Sequence, residues 1–333
     1  MTLFYEGIKL MKIQERFNFY YSLLLDEEKR IYIEIVSALR KFNKIVKINM
    51  IHKDIDFHAI ICAIKEDNPE LFYVNFSAVT ITMSNFCATV YFAFFYNDVD
   101  IYWIMKELSS VVATISLSGN ILQDEFNIHK YIANNVEYDY SGSSFDSFTI
   151  KGALIDRKAV CEGYSKAFKF LCDFAKIPCL IISGTAKNDN GMVQNHAWNI
   201  VNINGDYYHV DSTWNRDSLE KLGLSLYLNI SDKFISGNHT WQKEKYPQCR
   251  KTSNLELKIV SINDKAQFQK AINDAVCNLQ RHLLLSINYS VDGEKEIKEN
   301  IKDFVSGTVK FGLKSYHISY IKELNCGVVL FDY

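Results

Sequence analysis

The feature that most constrains the fold is an Asn-Gly pair at positions 204 and 205, set between two runs of β-prone residues. This pattern is the strongest short-range signal for a β-hairpin with a two-residue turn. Such a turn places Trp198 opposite Asp211, and His196 opposite Thr213. Because side chains alternate faces along a strand, these residues share one face of the hairpin. We therefore expect His196 and Asp211 to be diagonal neighbours within hydrogen-bonding reach.

A second constraint is an amphipathic helix that begins near Cys161. Apolar residues recur at helical spacing from position 160 to position 175, and Pro178 follows the helix end. A thiol in the first turn lies near unpaired N–H groups and the positive end of the helix dipole, which favour the thiolate. Gly163 would let a substrate backbone approach closely. Cys172 extends the buried stripe and is predicted to be structural.

Together the helix and the hairpin supply the residue types of a thiol catalytic site. We expect Cys161 to be the nucleophile, His196 the base and Asp211 the group that orients the imidazole, with Trp198 shielding the pair. Taken singly, Cys161 could also be a core cysteine, and His196 a histidine whose hydrogen bonds are simply made within the protein. Asp211 could merely end its strand. His209 lies on the same hairpin face but nearer the turn, so it is the alternative base.

The motifs around these residues resemble the bacterial transglutaminase-like core domain. The resemblance rests on Val160-Cys-Glu-Gly-Tyr-Ser-Lys-Ala-Phe, on His196-Ala-Trp-Asn and on Tyr208-His-Val-Asp-Ser-Thr-Trp. It implies a papain-like α+β fold, in which the nucleophile helix packs on an antiparallel sheet. It also implies an acyl-enzyme mechanism. Members of the family include proteases, amidases and cross-linking enzymes, and some members have lost catalysis.

The resemblance also indicates where substrate would bind. The backbone N–H of Cys161 is expected to belong to the oxyanion hole, and Tyr138 and Tyr140 are candidates for its second donor. Further candidate substrate-binding residues lie inside the motifs: Gly163, Tyr164, Trp198 and Trp214. The zinc-binding CxxC pairs of related peptide glycanases are absent, and no clustered set of histidines and carboxylates is evident. We therefore predict no metal and no cofactor.

Periodicity divides the 333 residues into three blocks. Residues 1–115 are predicted to form an N-terminal α+β region, with helices over 25–39 and 58–66, strands over 71–74 and 88–96, and a helix that begins near Asp98. Residues 116–249 would form the catalytic core. Residues 250–333 show a β-α-β-α-β-β order, which predicts a small α+β module with helices on one face of a sheet.

Charge and cysteine usage restrict the partners and the location. The formal net charge is only −2, which offers no electrostatic case for nucleic acid or an anionic membrane. The N-terminal segment shows no signal-peptide pattern, and none of the eight cysteines is paired as CxxC. We therefore expect a cytoplasmic protein with free thiols. The sequence leaves its oligomeric state open.

These features predict a thiol-dependent acyl-transfer enzyme that acts on peptide or protein amide bonds. Two alternatives remain at this stage. One is a cross-linking transglutaminase, which would transfer the acyl group to an amine. The other is a catalytically silent scaffold that binds proteins. The extra surface of the flanking blocks favours a protein-sized substrate in each case.

Overall fold

The computed structural model describes residues 16–51, 54–84, 86–188, 191–222, 224–253, 259–288, 293–307, 313–321 and 326–333. The chain forms two compact units. The first comprises the residues up to Ser183, Ala197–Gly205 and Val210–Arg216. The second comprises Gly184–His196, Asp206–His209 and Asp217–Tyr333. Both helices and strands are abundant, which confirms the predicted α+β class.

The described residues in the N-terminal part of the first unit form helices and an antiparallel sheet. Its elements are α1 (Phe19–Ser22), α2 (Asp26–Leu39), β1 (Ile45–Asn49), α3 (Phe57–Asp67), β2 (Val74–Ser84) and β3 (Cys87–Phe94), with strand order β1-β3-β2. The two predicted helices are confirmed. The strand predicted over 71–74 begins only at Val74, because Pro69–Leu71 form a 3-10 turn directly after α3.

Sequence signals explain where these helices begin. The first turn of α2 carries Asp26, Glu27 and Glu28, which favour the positive end of the helix dipole. The Glu28 carboxylate also accepts a 2.9 Å hydrogen bond from the backbone N–H of Leu25, the residue that caps the helix. On α3, Asp56 caps the helix by accepting from the N–H of Ala59 at 2.9 Å. Local capping therefore sets both boundaries.

The next segment brings the chain to the predicted nucleophile. It contains α4 (Asp98–Thr114), α5 (Ile121–Asn135), the short parallel strands β4 (Glu137–Tyr138) and β5 (Lys158–Ala159), and α6 (Cys161–Phe174). A four-stranded sheet of order β8-β7-β6-β9 follows. Its strands are β6 (Cys179–Lys187), β7 (Val193–Ile203), β8 (Asp206–Val210) and β9 (His239–Thr240). Two helices lie between β8 and β9 in the chain, α7 (Ser212–Leu222) and α8 (Asp232–Ile235).

The hairpin turn between β7 and β8 is the predicted two-residue loop. Asn204 and Gly205 both adopt positive φ angles, 54° and 92°. Positive φ at both central residues is the signature of a type I′ turn, whose twist matches that of the flanking strands. The turn prediction is confirmed.

The C-terminal part of the second unit has the predicted β-α-β-α-β-β order. Its elements are β10 (Ile259–Ile262), α9 (Lys265–Cys277), β11 (His282–Ile287), α10 (Gly293–Gly307), β12 (Ser315–Ile321) and β13 (Cys326–Asp332). The sheet order is β10-β11-β13-β12, with β10 and β11 parallel. Apolar side chains of both helices and of the sheet form one buried cluster. In the described part of the chain, no helix combines the length and the apolar character needed to span a bilayer.

Candidate active site

Cys161 is the first residue of α6, as the sequence predicts. Val160 precedes it in an extended conformation and donates its N–H to the carbonyl oxygen of Ser147 at 2.9 Å. The Cys161 thiol is partly exposed, whereas Cys172 and Cys179 are buried. Burial and a hydrogen bond with Cys179 raise the pKa of the Cys172 thiol well above its ordinary value. Of these three cysteines, only Cys161 combines solvent access with a helix N-terminus.

Gly163 has a packing role that differs from the predicted one. A Cβ atom added at Gly163 would lie 2.4 Å from the carbonyl oxygen of Ser147 and 2.8 Å from the Cβ of Ala159. The space beside the glycine is therefore filled by the protein's own backbone. The close approach that Gly163 permits on this side is that of the loop before α6. The expectation that Gly163 also admits a substrate backbone stays a prediction.

A buried carboxylate fixes the loop that braces the start of α6. Asp139 accepts hydrogen bonds from the hydroxyls of Ser141 and Ser147, each at 2.6 Å. Lys158 lies 3.5 Å from the same carboxylate. The two serine hydroxyls, with the Ser141 N–H and the Lys158 charge, hold the pKa of Asp139 well below its usual range. Asp139 therefore stays charged and keeps Ser147 against the N-terminus of α6.

Asp211 is fully buried and caps a helix. Strand β8 ends at Val210 and α7 begins at Ser212, so Thr213 is helical. The predicted strand pairing of Thr213 is therefore wrong. Oδ1 of Asp211 accepts from the N–H groups of Thr213 at 2.9 Å and Trp214 at 3.1 Å. These are the bonds of an N-cap, and they orient the carboxylate.

The first turn of α7 is also fastened to α5. Nδ1 of His129 lies 3.3 Å from the hydroxyl of Ser212, the residue after Asp211. The His129 ring in turn contacts the Phe168 ring of α6 edge to face, with centroids 6.5 Å apart. Neither His129 nor Ser212 was identified from the sequence, because their contacts join segments more than 80 residues apart. They tie the segment that carries Asp211 to the helix that carries Cys161.

The two candidate oxyanion donors have different surroundings. Tyr138 is half-buried, and its ring lies 5.1 Å from that of Tyr140. Burial, together with electrostatic interactions with Cys161, Tyr140 and Asp211, raises the pKa of Tyr138 to about 12. Its hydroxyl therefore remains a hydrogen-bond donor at neutral pH. Tyr140 is 83% exposed, and its hydroxyl accepts from the guanidinium of Arg216 at 3.3 Å.

The tryptophans and Tyr164 are positioned by packing. Trp198 is buried in β7, whereas Trp214 is partly exposed in the first turn of α7. Tyr164 is buried and donates its hydroxyl to the carbonyl oxygen of Val136, which makes it part of the core beneath the site. Asn199 is the last residue of the His196-Ala-Trp-Asn motif, and the sequence predicts no role for it. Its amide donates to the carbonyl oxygen of Ser165 at 3.0 Å and so fastens β7 to α6.

His196 is buried in the second unit, at the residue before the chain re-enters the first. Its ring lies 5.3 Å from that of His239. Nδ1 of His239 donates to the Asn238 side chain at 2.6 Å, and the Asn238 amide donates to the Tyr227 hydroxyl at 2.8 Å. The histidine that sequence reasoning selected therefore lies in a polar aromatic cluster. The other members, Tyr227, Asn238 and His239, were missed because they lie at least 31 residues after His196 in the chain.

Within the first unit the structure brings three predicted residues into one electrostatic environment: Cys161, Asp211 and Tyr138. This arrangement joins a thiol at a helix N-terminus to a neutral donor and a fixed carboxylate. Such groups are those that acyl transfer through a thioester requires. The assignment of His196 as their base stays a prediction.

Comparisons with known proteins agree with the motif-based resemblance. Residues 111–212 match the family model described as Transglutaminase-like superfamily. The segment is also similar to kyphoscoliosis peptidase of Homo sapiens and of Mus musculus, at 28% identity over 141 residues in each case. Each match covers 35% of this chain and 21% of the relative. The chain thus spans about a fifth of the length of these curated relatives.

Two solved structures are similar over larger segments. One is a putative cysteine protease from Cytophaga hutchinsonii, with 17% identity, a TM-score of 0.29, and coverage of 40% of this chain and 61% of that one. The other is described as a TGase, with 10% identity, a TM-score of 0.30, and coverage of 66% and 59%.

Proposed function

Because residues 111–212 form a transglutaminase-like domain, we propose that this protein is a thiol-dependent acyl-transfer enzyme that hydrolyses amide bonds of peptides or proteins. The observation that carries the proposal is the position of Cys161. Cys161 is the first residue of α6 and is partly exposed, whereas most of the other residues of α6 are buried. A thiol so placed is accessible to substrate.

The proposed reaction has two steps. In the first, His196 holds the proton of Cys161, the sulfur attacks the amide carbonyl carbon, and a C–S bond forms. The C–N bond then breaks as the imidazolium of His196 donates its proton to the departing amine. In the second step His196 takes a proton from water, the hydroxide attacks the thioester, and the C–S bond breaks. The carboxylic acid leaves, and the proton returns to the Cys161 sulfur.

Two further groups would support this chemistry. Asp211, held by its two N-cap hydrogen bonds, would orient His196 and stabilise the imidazolium. The Tyr138 hydroxyl would donate to the developing oxyanion beside the N–H of Cys161. Its high pKa supports this role, because a donor must keep its proton while negative charge forms next to it. Tyr140, exposed and bound to Arg216, is better suited to contact substrate outside the site.

Hydrolysis is favoured over cross-linking by one observation. Both curated relatives are named as a peptidase. A cross-linking enzyme would need an amine to reach the thioester before water does. Hydrolysis and cross-linking can be distinguished by offering the enzyme a peptide library together with a fluorescent primary amine. Mass spectrometry would then measure the hydrolysed peptides and the amine-labelled peptides.

The test of the proposal is the replacement Cys161→Ser. We expect it to abolish peptide hydrolysis and to remove the thiol that iodoacetamide labels fastest near neutral pH. The matched control is Cys62→Ser, since Cys62 is exposed on α3 and has no role in the proposed chemistry. Undiminished hydrolysis in Cys161→Ser, or equal labelling of Cys161 and Cys62, would refute the nucleophile. Amine incorporation without hydrolysis would instead indicate the cross-linking reaction.

The oxyanion role of Tyr138 has its own test. Tyr138→Phe keeps the ring but removes the donor, so kcat should fall by about 100-fold while KM changes little. Tyr140→Phe is the control and should leave kcat nearly unchanged. Equal kcat values for the two variants would remove Tyr138 from the oxyanion hole.

A further inference from the structure

A second group of potential ligands lies in the second unit, formed by His209, Asp232 and Cys249. One nitrogen, oxygen or sulfur atom from each residue lies within 4.8 Å of those of the other two. Nε2 of His209 is 2.8 Å from Oδ1 of Asp232. The three residues come from the end of β8, the first turn of α8 and the segment that follows β9. The proposed acyl-transfer chemistry uses none of them.

The cluster is largely buried, with Asp232 as its most exposed member. The side chains of His209 and Cys249 are almost fully buried, whereas the Asp232 side chain is 26% exposed. The Trp241 ring covers the His209 imidazole edge to face, with centroids 4.8 Å apart.

The backbone holds all three donors in place. His209 and Ile230 exchange backbone hydrogen bonds of 2.9 and 3.1 Å. The N–H of Asp232 donates to the carbonyl oxygen of Cys249 at 2.8 Å. The main chain at these residues therefore loses little freedom on binding an ion. Preorganisation of this kind favours binding, because less entropy is lost.

The donor types restrict the ion. Thiolate, imidazole and carboxylate together suit Zn²⁺ and similar transition ions, whereas Ca²⁺ and Mg²⁺ prefer oxygen ligands alone. Tetrahedral zinc separates neighbouring ligand atoms by roughly 3.5 Å. The ligand atoms of the cluster all lie within 4.8 Å of one another, so small side-chain movements would bring them to that geometry.

We propose that His209, Asp232 and Cys249 form a binding site for a single Zn²⁺ ion, with water in the fourth position. The ion would bond to Nε2 of His209, to a carboxylate oxygen of Asp232 and to the sulfur of Cys249. It would replace the hydrogen bond between His209 and Asp232. The site joins β8, α8 and the segment at Cys249, so its role is to stabilise the second unit.

This proposal revises the expectation that the chain has no metal site. That expectation rested on the absence of closely spaced ligand pairs such as CxxC. Here the ligands are separated by 22 and 16 intervening residues. Only the folded structure brings such widely spaced residues together. One nearby charge opposes binding: the positive charge of Lys243 acts on the His209 imidazole, although Lys243 itself is exposed.

The test uses Co²⁺ as a spectroscopic substitute for Zn²⁺, in full-length protein that carries Cys161→Ser so that the proposed nucleophile does not contribute. We expect a thiolate-to-cobalt absorption band and the visible bands of tetrahedral cobalt, both removed by competing Zn²⁺. Adding Cys249→Ser should abolish the thiolate band and weaken Zn²⁺ binding by at least about 10-fold. Asp232→Asn should weaken binding while keeping the thiolate band.

Two controls keep the result specific. Cys326→Ser removes another buried thiol of the second unit and should change neither band. His239→Gln removes the histidine beside His196 and should also leave the thiolate band unchanged. Absence of the thiolate band in folded protein would overturn the proposal, as would its persistence in Cys249→Ser. Because the readout is binding, it is independent of whether the enzyme hydrolyses peptides.

Discussion

The helix that carries Cys161 and the helices of the C-terminal module are buried in different ways. On α6, Lys169 is completely buried and Asp173 is nearly so. On α9 and α10 the buried side chains are apolar, with Asn300 as the exception among the residues that the structure describes. The two regions therefore depend on different forces. The module relies on the hydrophobic effect, which is not directional. Helix α6 also has ion pairs, whose hydrogen bonds are directional.

The ion pairs on α6 belong to a larger network in the first unit. The guanidinium of Arg16 lies 3.0 Å from Glu70 and 3.6 Å from Asp173. Arg40 reaches the same Glu70 carboxylate at 2.5 Å. Burial alone would raise the pKa of Glu70, but the two arginines outweigh it and lower the pKa to about 2. A helix held by such bonds has a fixed rotation and position, so Cys161 at its first residue is held in a fixed position too.

The largest difference between the regions should appear when the network loses its central carboxylate. Glu70→Gln removes the carboxylate that both Arg16 and Arg40 contact and leaves Arg16 with Asp173 alone, so the free energy of unfolding should fall by about 3–5 kcal/mol. Glu34→Gln is the matched control, because Glu34 pairs with Arg30 on the exposed face of α2. It should cost less than about 0.5 kcal/mol. Urea unfolding measures both, and similar small losses would show that the network does not anchor α6.

A smaller effect should follow from adding one methyl group in each region. Gly163→Ala places a Cβ 2.4 Å from a backbone oxygen, so the start of α6 must shift. We expect a loss of about 1–3 kcal/mol and slower alkylation of Cys161. In the module, the Cβ of Gly327→Ala would lie 3.6 Å from Ile301 and 3.8 Å from Ile297 and Leu285, which is ordinary van der Waals contact. That variant should be nearly neutral. Equal stabilities of the two variants would contradict the tight packing at Gly163.

The smallest effect concerns pH. Burial raises the pKa of Asp67 to about 7, against the opposing charge of Lys169. The folded protein therefore binds this proton more tightly than the unfolded chain, whose aspartate has its ordinary pKa of 3.8. The stabilisation is complete below that ordinary value and is lost as pH rises through about 7. On the order of 1 kcal/mol should disappear between about pH 6 and pH 7.

Comparison of variants isolates this contribution. Asp67→Asn should flatten the pH dependence of unfolding over that interval, because the amide does not titrate. Asp303→Asn, at an exposed position on α10 of the module, should leave the pH dependence unchanged. If Asp67→Asn keeps the full pH dependence, another buried group is responsible for it.

The same contrast explains what the sequence could and could not predict. The type I′ turn, the start of α6 and the β-α-β-α-β-β order were predictable because each follows from residues close together in the chain. The capping role of Asp211 was missed because the strand pattern was extended past Val210. The network around Glu70 and the cluster at Cys249 were missed because their members lie in separate segments. Burial of charge follows from tertiary contacts, which periodicity does not reveal.

The network beneath α6 also has an evolutionary consequence. Removing one member leaves a buried charge without compensation, whereas replacing an ion pair with apolar residues of similar volume is often neutral or stabilising. Single substitutions at Arg16, Glu70 or Asp173 should therefore be eliminated by selection, and joint substitutions should be tolerated. In an alignment of true homologues these positions would vary together. The surface pair Arg30 and Glu34 would vary independently.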